Sequence, residues 1–287
     1  MRQGFAIGAG IIIAGILLQL CVGQVLWDAF VWPANIIVLL SFVAIIIGIY
    51  LLRSKVYAFR FLGTMQAAIP AMVFAVVLTV IMGLTRQTVN GQWFHDMLSF
   101  WPFVLIYVYI ALILGVIIIR RLVHFRLTMA NIQFLLFHLG LFITMTTATL
   151  GNADMQRLKM ITVIGEPEWR GLTQQQEVVE LPLAIELKKF IMETYDDGSP
   201  KRFASKIEIL TKTNKKIHTT VDVNKPVAVD GWKIYQYGYD QSMGAKSNTS
   251  ILELVRDPWI TIVYIGIYMM LLGALCMFIF GIKTKRS

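Results

Sequence analysis

The sequence predicts an α-helical polytopic membrane protein of six spans with a small extracytoplasmic β-rich domain, a sandwich or an open barrel. Three observations carry that prediction. Of 287 residues, 57% are hydrophobic and 15% charged, with a mean hydropathy of +0.67, a balance outside the ordinary range of soluble domains. Six apolar runs, near 4–22, 33–52, 66–84, 98–119, 129–151 and 259–282, are each long enough to cross a hydrocarbon layer of about 30 Å as a helix. Between the fifth and sixth runs the hydrophobic period changes from helical to a two-residue alternation.

The loops orient these spans. Arg53, Lys55 and Arg60 follow the second run, and Arg120, Arg121 and Arg126 follow the fourth. Arg2 and the trio Lys283, Lys285 and Arg286 occupy the two ends of the sequence. The alternate loops, 23–32 and 85–97, hold a single basic residue, Arg86, together with Trp27, Trp32 and Trp93. Basic loops stay in the cytoplasm and tryptophans gather at interfaces, so both ends are expected in the cytoplasm and 152–258 outside it. The organisation expected is a five-span membrane region at 1–151, with the helix that carries His138 at 129–151, an extracytoplasmic β-rich domain at 152–258, and a last span with a basic tail at 259–287.

Net charge is +9, yet fifteen basic and fifteen acidic residues balance between Asn152 and Asp257. The excess is therefore a topology signal and not a nucleic-acid footprint, and membrane lipid is the bulk partner. Two cysteines, Cys21 and Cys276, without a CxxC exclude a disulfide scaffold and a dithiol redox site. Leu18-Gln19-Leu20-Cys21 lacks the small residue of a lipobox and no small-x-small site follows, so the first run is expected to remain as a span.

Ionisable groups inside a bilayer are costly and mark function. Only the fifth run carries one away from its ends, His138, nine residues past Met129 and so about 14 Å along the helix. Helical spacing puts Phe134, Leu135, Leu141, Phe142 and Met145 on its side. A flat hydrophobic macrocycle whose metal takes a nitrogen ligand fits such a face. A neutral histidine bonded to a helix carbonyl, or to Thr144 or Thr147, fits it equally well, and the residue alone does not choose. His124 reads as part of the cytoplasmic basic loop, with a contact to a haem propionate as the alternative. His95 reads as an interfacial loop residue and His218 as an exposed strand residue.

Alternation at Lys206–Leu210, Ile217–Val223, Lys233–Tyr239 and Ile251–Val255 reads as strands. Breaks at Asp196-Asp197-Gly198-Ser199-Pro200, Lys212–Lys216, Asp230-Gly231 and Gln241–Asn248 supply the turn chemistry. No catalytic carboxylate pair, Ser-His-Asp set or phosphate loop shows in this stretch, which reads as a binding surface.

Asn224-Lys225-Pro226, Gly231-Trp232-Lys233-Ile234-Tyr235-Gln236, Tyr239-Asp240 and Arg256-Asp257-Pro258-Trp259, the last leading into a span with Tyr264, Gly266 and Gly273, together form a pattern. Combined with His138-Leu139-Gly140 in the preceding helix, it resembles the ResB family, also called CcsB, one half of the System II cytochrome c synthase. The resemblance implies carriage of haem b, a transient and transported substrate, across the bacterial inner membrane. It also implies help in attaching that haem covalently to the CxxCH motif of an exported apocytochrome c, with a CcsA-type subunit as partner. The family's histidine in the span before the outer domain maps onto His138, which becomes the axial ligand of the haem iron, with Phe134 and Phe142 shaping the pocket. No residue is assigned a catalytic role, and haem-lyase activity is expected only with the partner.

Two features depart from the family. Typical members place about three spans before a larger outer domain, whereas this chain has five before a compact one. The tryptophan-rich haem motif of the partner subunit is absent. Two other readings stand beside the synthase subunit: a non-catalytic assembly scaffold, and a cytochrome b-like electron-transfer subunit, for which one intramembrane histidine is too few.

Overall fold

Residues 1–88, 91–197 and 199–281 are described in the computed structural model of the chain. Lys283, Lys285 and Arg286 of the basic tail, the last residue of the 259–282 run and Gly198 of the first expected break lie outside the described residues. The chain divides into two compact units, Met1–Ala153 with Trp259–Ser287, and Asp154–Pro258.

The first unit is helical. Its elements are α1 (Arg2–Val22), α2 (Ala34–Leu52), the short α3 (Tyr57–Leu62), α4 (Met65–Leu84), α5 (Trp101–Val123), α6 (Met129–Gly151) and α7 (Ile260–Phe280). Among the described residues, six of these helices are long and apolar enough to cross a membrane, as a polytopic membrane protein requires. The fourth run is shifted from the expected 98–119. A 3-10 turn at Met97–Ser99 precedes α5, Pro102 sits in its first turn where a missing N–H costs nothing, and the helix continues through Arg120 and Arg121.

α5 is the most buried of the six. Phe103 and Ile106 pack towards α4 and α1, beside Leu78 and Ile12, while Tyr109, Ile113 and Val116 pack against Ile46 and Ile49 of α2. α6 packs on α5 and α2 with one side and on α7 with another.

Small residues make the α6–α7 contact. A Cβ on Gly140 would lie 2.6 Å from the Gly266 carbonyl oxygen, and a Cβ on Gly273 would lie 2.8 Å from the Phe137 nitrogen. Apolar side chains gain nothing by leaving lipid for a neighbouring helix, so close backbone approach and hydrogen bonds hold such pairs together. Gln133 Nε2 donates to the Cys276 carbonyl at 2.8 Å and adds one such bond.

The second unit is a single antiparallel sheet of eight strands in the order β5-β4-β3-β2-β1-β8-β7-β6. The strands are β1 (Gln156–Val163), β2 (Pro167–Leu172), β3 (Val178–Thr194), β4 (Pro200–Leu210), β5 (Lys216–Asp222), β6 (Val227–Val229), β7 (Trp232–Tyr239) and β8 (Thr249–Arg256). The sheet curls on itself. Met160, Ile185, Leu187, Ile207, Ile209, Ile234, Leu252 and Leu254, drawn from strands across the whole order, share one core. Ser205 on β4 and Ser250 on β8 are not sheet neighbours, yet their hydroxyls lie 2.7 Å apart, and Gln236 Nε2 donates to the Ser250 hydroxyl at 2.9 Å.

β4, β5, β7 and β8 are the four strands that alternation predicts. Asp230 and Gly231 both adopt positive φ, 50° and 81°, as a two-residue hairpin turn demands. β1, β2, β3 and β6 are additional. β3 contains Pro182 and a register shift between Leu187 and Lys189. β2 opens on Pro167 and shifts register between Glu168 and Arg170. Such interruptions break a two-residue pattern without ending a strand.

The glycine contact yields a test. Gly266→Leu should force α6 and α7 apart, since a Cβ there meets the Gly140 carbonyl oxygen at 2.7 Å, whereas Gly10 has nothing within 4 Å of its Cβ position. Overpacking of this kind costs about 1–3 kcal/mol. The thermal midpoint of the purified chain in detergent should therefore fall for Gly266→Leu and stay put for Gly10→Leu.

Candidate functional site

The site is built on α6. Thr128 caps the helix, its hydroxyl accepting from the Asn131 N–H at 3.4 Å, and Asn131 Nδ2 donates back to the Arg126 carbonyl at 2.7 Å. From that capped start the helix turns through Gln133, Phe137, Gly140 and Thr144, the positions that meet α7. At 100° per residue, Phe134, His138 and Phe142 fall on the remaining side.

His138 is half-buried. Its Nδ1 lies 2.9 Å from the Phe134 carbonyl oxygen one turn back. A carbonyl only accepts, so Nδ1 carries the proton and the lone pair sits on Nε2. Among the described residues no hydrogen bond is made to Nε2. The threonine hydroxyls that could have competed for the ring are engaged within their own helix: Thr144 donates to the Gly140 carbonyl at 2.9 Å and Thr147 to the Ile143 carbonyl at 2.7 Å.

The imidazole is flanked by two aromatic rings. Phe134 stacks on it with centroids 3.8 Å apart and planes 16° from parallel, and Phe137 meets it edge-on at 5.7 Å. Phe134 is thus brought to His138 as the helical period predicts. Phe142 is occupied elsewhere, lying parallel to Phe42 of α2 at 6.3 Å. It belongs to the packing between α6 and α2.

The sequence reading passed over several groups of the helical unit. Phe137 was missed because neighbouring residues on a helix point some 100° apart, a separation that two large rings still bridge. Arg121, counted as one of the basic loop residues, places its guanidinium carbon 4.8 Å from the centre of the Phe134 ring. Gln133 and the fully buried Asn35, whose Nδ2 donates to the Leu150 carbonyl at 3.4 Å, are amides in apolar helices, a legible signal of contact between spans.

The remaining histidines lie elsewhere. His124 Nδ1 is 3.1 Å from the Arg120 carbonyl, and His95 Nδ1 is 3.0 Å from the Arg86 carbonyl. His218 stands exposed on β5, 3.6 Å from the Glu208 carboxylate, which also receives Lys188 and Lys216. Those lysines hold the Glu208 carboxyl below its ordinary range, by hydrogen bonds first and charge second. Among the described residues no three His, Cys, Asp or Glu side chains gather as a metal site.

Comparison with known proteins bears on the same region. Residues 128–250 match the ResB-like family, in keeping with the resemblance read from the sequence. The match begins at the Thr128 cap of α6 and ends within β8, so the Arg256-Asp257-Pro258-Trp259 segment and the last span lie beyond it. The cytochrome c biogenesis protein CcsB of Prochlorococcus marinus subsp. pastoris is 32% identical over 106 residues, 37% of this chain and 24% of that protein. The chain thus spans about a quarter of the length of that curated relative. Among solved structures, the cytochrome c haem lyase CcmF superposes with a TM-score of 0.37 and 12% identity, covering 75% of this chain and 34% of that one. At that level the likeness carries no argument.

The carbonyl bond makes the tautomer a measurable property. Nitrogen-15 spectra of the histidine-labelled chain should show a His138 imidazole protonated at Nδ1 and bare at Nε2. A proton on Nε2 would contradict the geometry and leave no lone pair facing away from the helix.

Proposed function

We propose that this chain serves in cytochrome c biogenesis as a subunit of the System II synthase, holding haem b in the membrane on its way to an exported apocytochrome c. One observation carries the reading. The segment shared with ResB-like proteins opens at Thr128, and so contains both the helix that presents His138 and nearly all of the curled sheet.

Physical chemistry makes the arrangement coherent. Haem carries two charged propionates and does not readily cross a bilayer of low dielectric. A nitrogen ligand part-way through that layer supplies an intermediate stop. Axial ligation uses the lone pair of a neutral imidazole, and a proton fixed on Nδ1 by a backbone carbonyl leaves Nε2 as the ligating atom. The second axial ligand would come from a CcsA-type partner, which would also supply the outer haem platform.

Basic loops on one side and tryptophans on the other support a topology with both ends of this sequence in the cytoplasm and the Asp154–Pro258 unit outside the bacterial inner membrane. There the sheet would meet the partner and the incoming CxxCH acceptor. Thioether formation adds an acceptor cysteine S–H across a haem vinyl double bond, the sulfur bonding one carbon and the hydrogen the other. It draws on reduced acceptor thiols, and with only Cys21 and Cys276 this chain offers no dithiol to reduce them. Its own task is to hold and orient.

A scaffold reading also has an observation behind it, since the Nδ1 bond to the Phe134 carbonyl would satisfy a purely structural histidine. Maturation assays separate the two. In a host without its own c-type maturation, co-expression with a CcsA-type protein should give holocytochrome c, and this chain alone little or none. His138→Ala should abolish the product, and His218→Ala should leave it unchanged. Covalent haem attachment by this chain without any CcsA-type protein, or full maturation by His138→Ala, would show the proposal to be wrong.

A further inference from the structure

The basic residues near the Arg121 end of α5 are not equivalent. Arg53 Nη1 donates to the Tyr50 carbonyl at 2.6 Å and stacks on that ring, Arg60 lies over Tyr57, and Arg120 Nη1 reaches the Gly63 carbonyl at 3.5 Å. Arg60, Arg120 and Arg126 are exposed, as solvated positive-inside residues should be. Arg121 is drawn inward instead. Its guanidinium carbon sits 4.8 Å from the centre of the Phe134 ring, and that same ring stacks on His138.

Arg121 also carries an unmet need. Among the described residues its Nε is buried without a hydrogen-bond partner, and a buried N–H of a charged group is costly to leave unpaired. The stacked ring offers a guanidinium some compensation through its π face but accepts no such bond. Nor can an acid of the helical bundle reach it. The carboxylates of residues 1–151 are Asp28 and Asp96, in the loops at the opposite ends of the helices.

We infer that Arg121 is the carboxylate clamp of the haem site, its guanidinium taking a propionate of the macrocycle whose iron His138 holds; this rests on the haem-ligand reading of His138. A haem offers two functions at a distance from each other, an iron at its centre and carboxylates on one edge. The protein offers the matching pair. Nε2 of His138 is a nitrogen donor, and the guanidinium lies beside Phe134, one helical turn, or about 6 Å, nearer the start of α6. Guanidinium binds carboxylate through two parallel N–H donors, a pairing strengthened where water is scarce. Stacking on Phe134 holds that fork in place beforehand. The clamp lies towards the basic loops, so it would set the macrocycle with its propionates on the side from which haem is delivered and its vinyl edge away from them.

A lipid phosphate could also occupy a guanidinium at this depth, and the test separates the two anions. The chain in nanodiscs of phosphatidylcholine is titrated with ferric haem and with haem dimethyl ester, which keeps iron and ring but has no carboxylate, and binding is followed by Soret absorption. Arg121→Gln should weaken binding of haem about tenfold or more, the loss of one charge-assisted pair, while binding of the ester stays as in the unsubstituted chain. Arg121→Lys, which keeps the charge without the fork, should retain part of the affinity for haem. His138→Ala should weaken both ligands. Ester binding by Arg121→Gln reports that the site is folded. Unchanged haem affinity in Arg121→Gln, or an equal loss for haem and ester, would overturn the clamp and leave Arg121 to lipid or to packing. Unchanged binding of both ligands in His138→Ala would overturn the haem-ligand reading and the clamp with it.

Discussion

The backbone contact between α6 and α7 governs where every group of the site points. Gly140 and Gly266 admit each other's carbonyl oxygens at distances that no Cβ would allow, and Gln133 fastens the far end to the Cys276 carbonyl. A helix held this closely along one line cannot rotate about its axis. With that line fixed, the 100° step per residue turns Phe134, His138 and Phe142 away from α7 and towards α5 and α2. The histidine is thereby presented to its aromatic neighbours and to Arg121 by a contact in which it takes no part.

In the proposed role a single residue would combine ligand and support, its ring nitrogens divided between two tasks. Nδ1 is committed to the helix by a 2.9 Å bond to the Phe134 carbonyl, which orients the ring and fixes its tautomer. Nε2 makes no hydrogen bond among the described residues. Stacking on Phe134 and edge contact with Phe137 limit rotation of the ring further. Sites placed on rigid elements with locked side chains hold their geometry better than sites on loops, and a carrier that hands its cargo on gains from a ligand that need not reorganise.

Much of this was legible in the sequence, for physical reasons that differ between the two units. In the helical unit the spans announced themselves by length and apolarity, and His138 by being an ionisable group far from any helix end. Phe134 followed from period alone. Phe142 did not remain with it, because Phe42 on another helix competes for its ring, and helical period says nothing about competitors. Arg121 was hidden by its company, since six basic residues in two loops look alike until packing draws one of them inward. In the sheet unit, β4, β5, β7 and β8 alternate cleanly. β3 was obscured by Pro182 and a bulge, and β1 by Ile161, an exposed apolar residue next to the buried Thr162.

The central claim is that His138 ligates haem iron within the membrane, and the absorption spectrum of haem carried by the purified complex tests it most directly. The chain with its CcsA-type partner should show a low-spin Soret and α/β signature. That signature should collapse, with loss of bound haem, in His138→Ala, and return in part when free imidazole takes the place of the missing ring. Equal haem content and an unaltered spectrum in His138→Ala would contradict the account and assign the residue to packing.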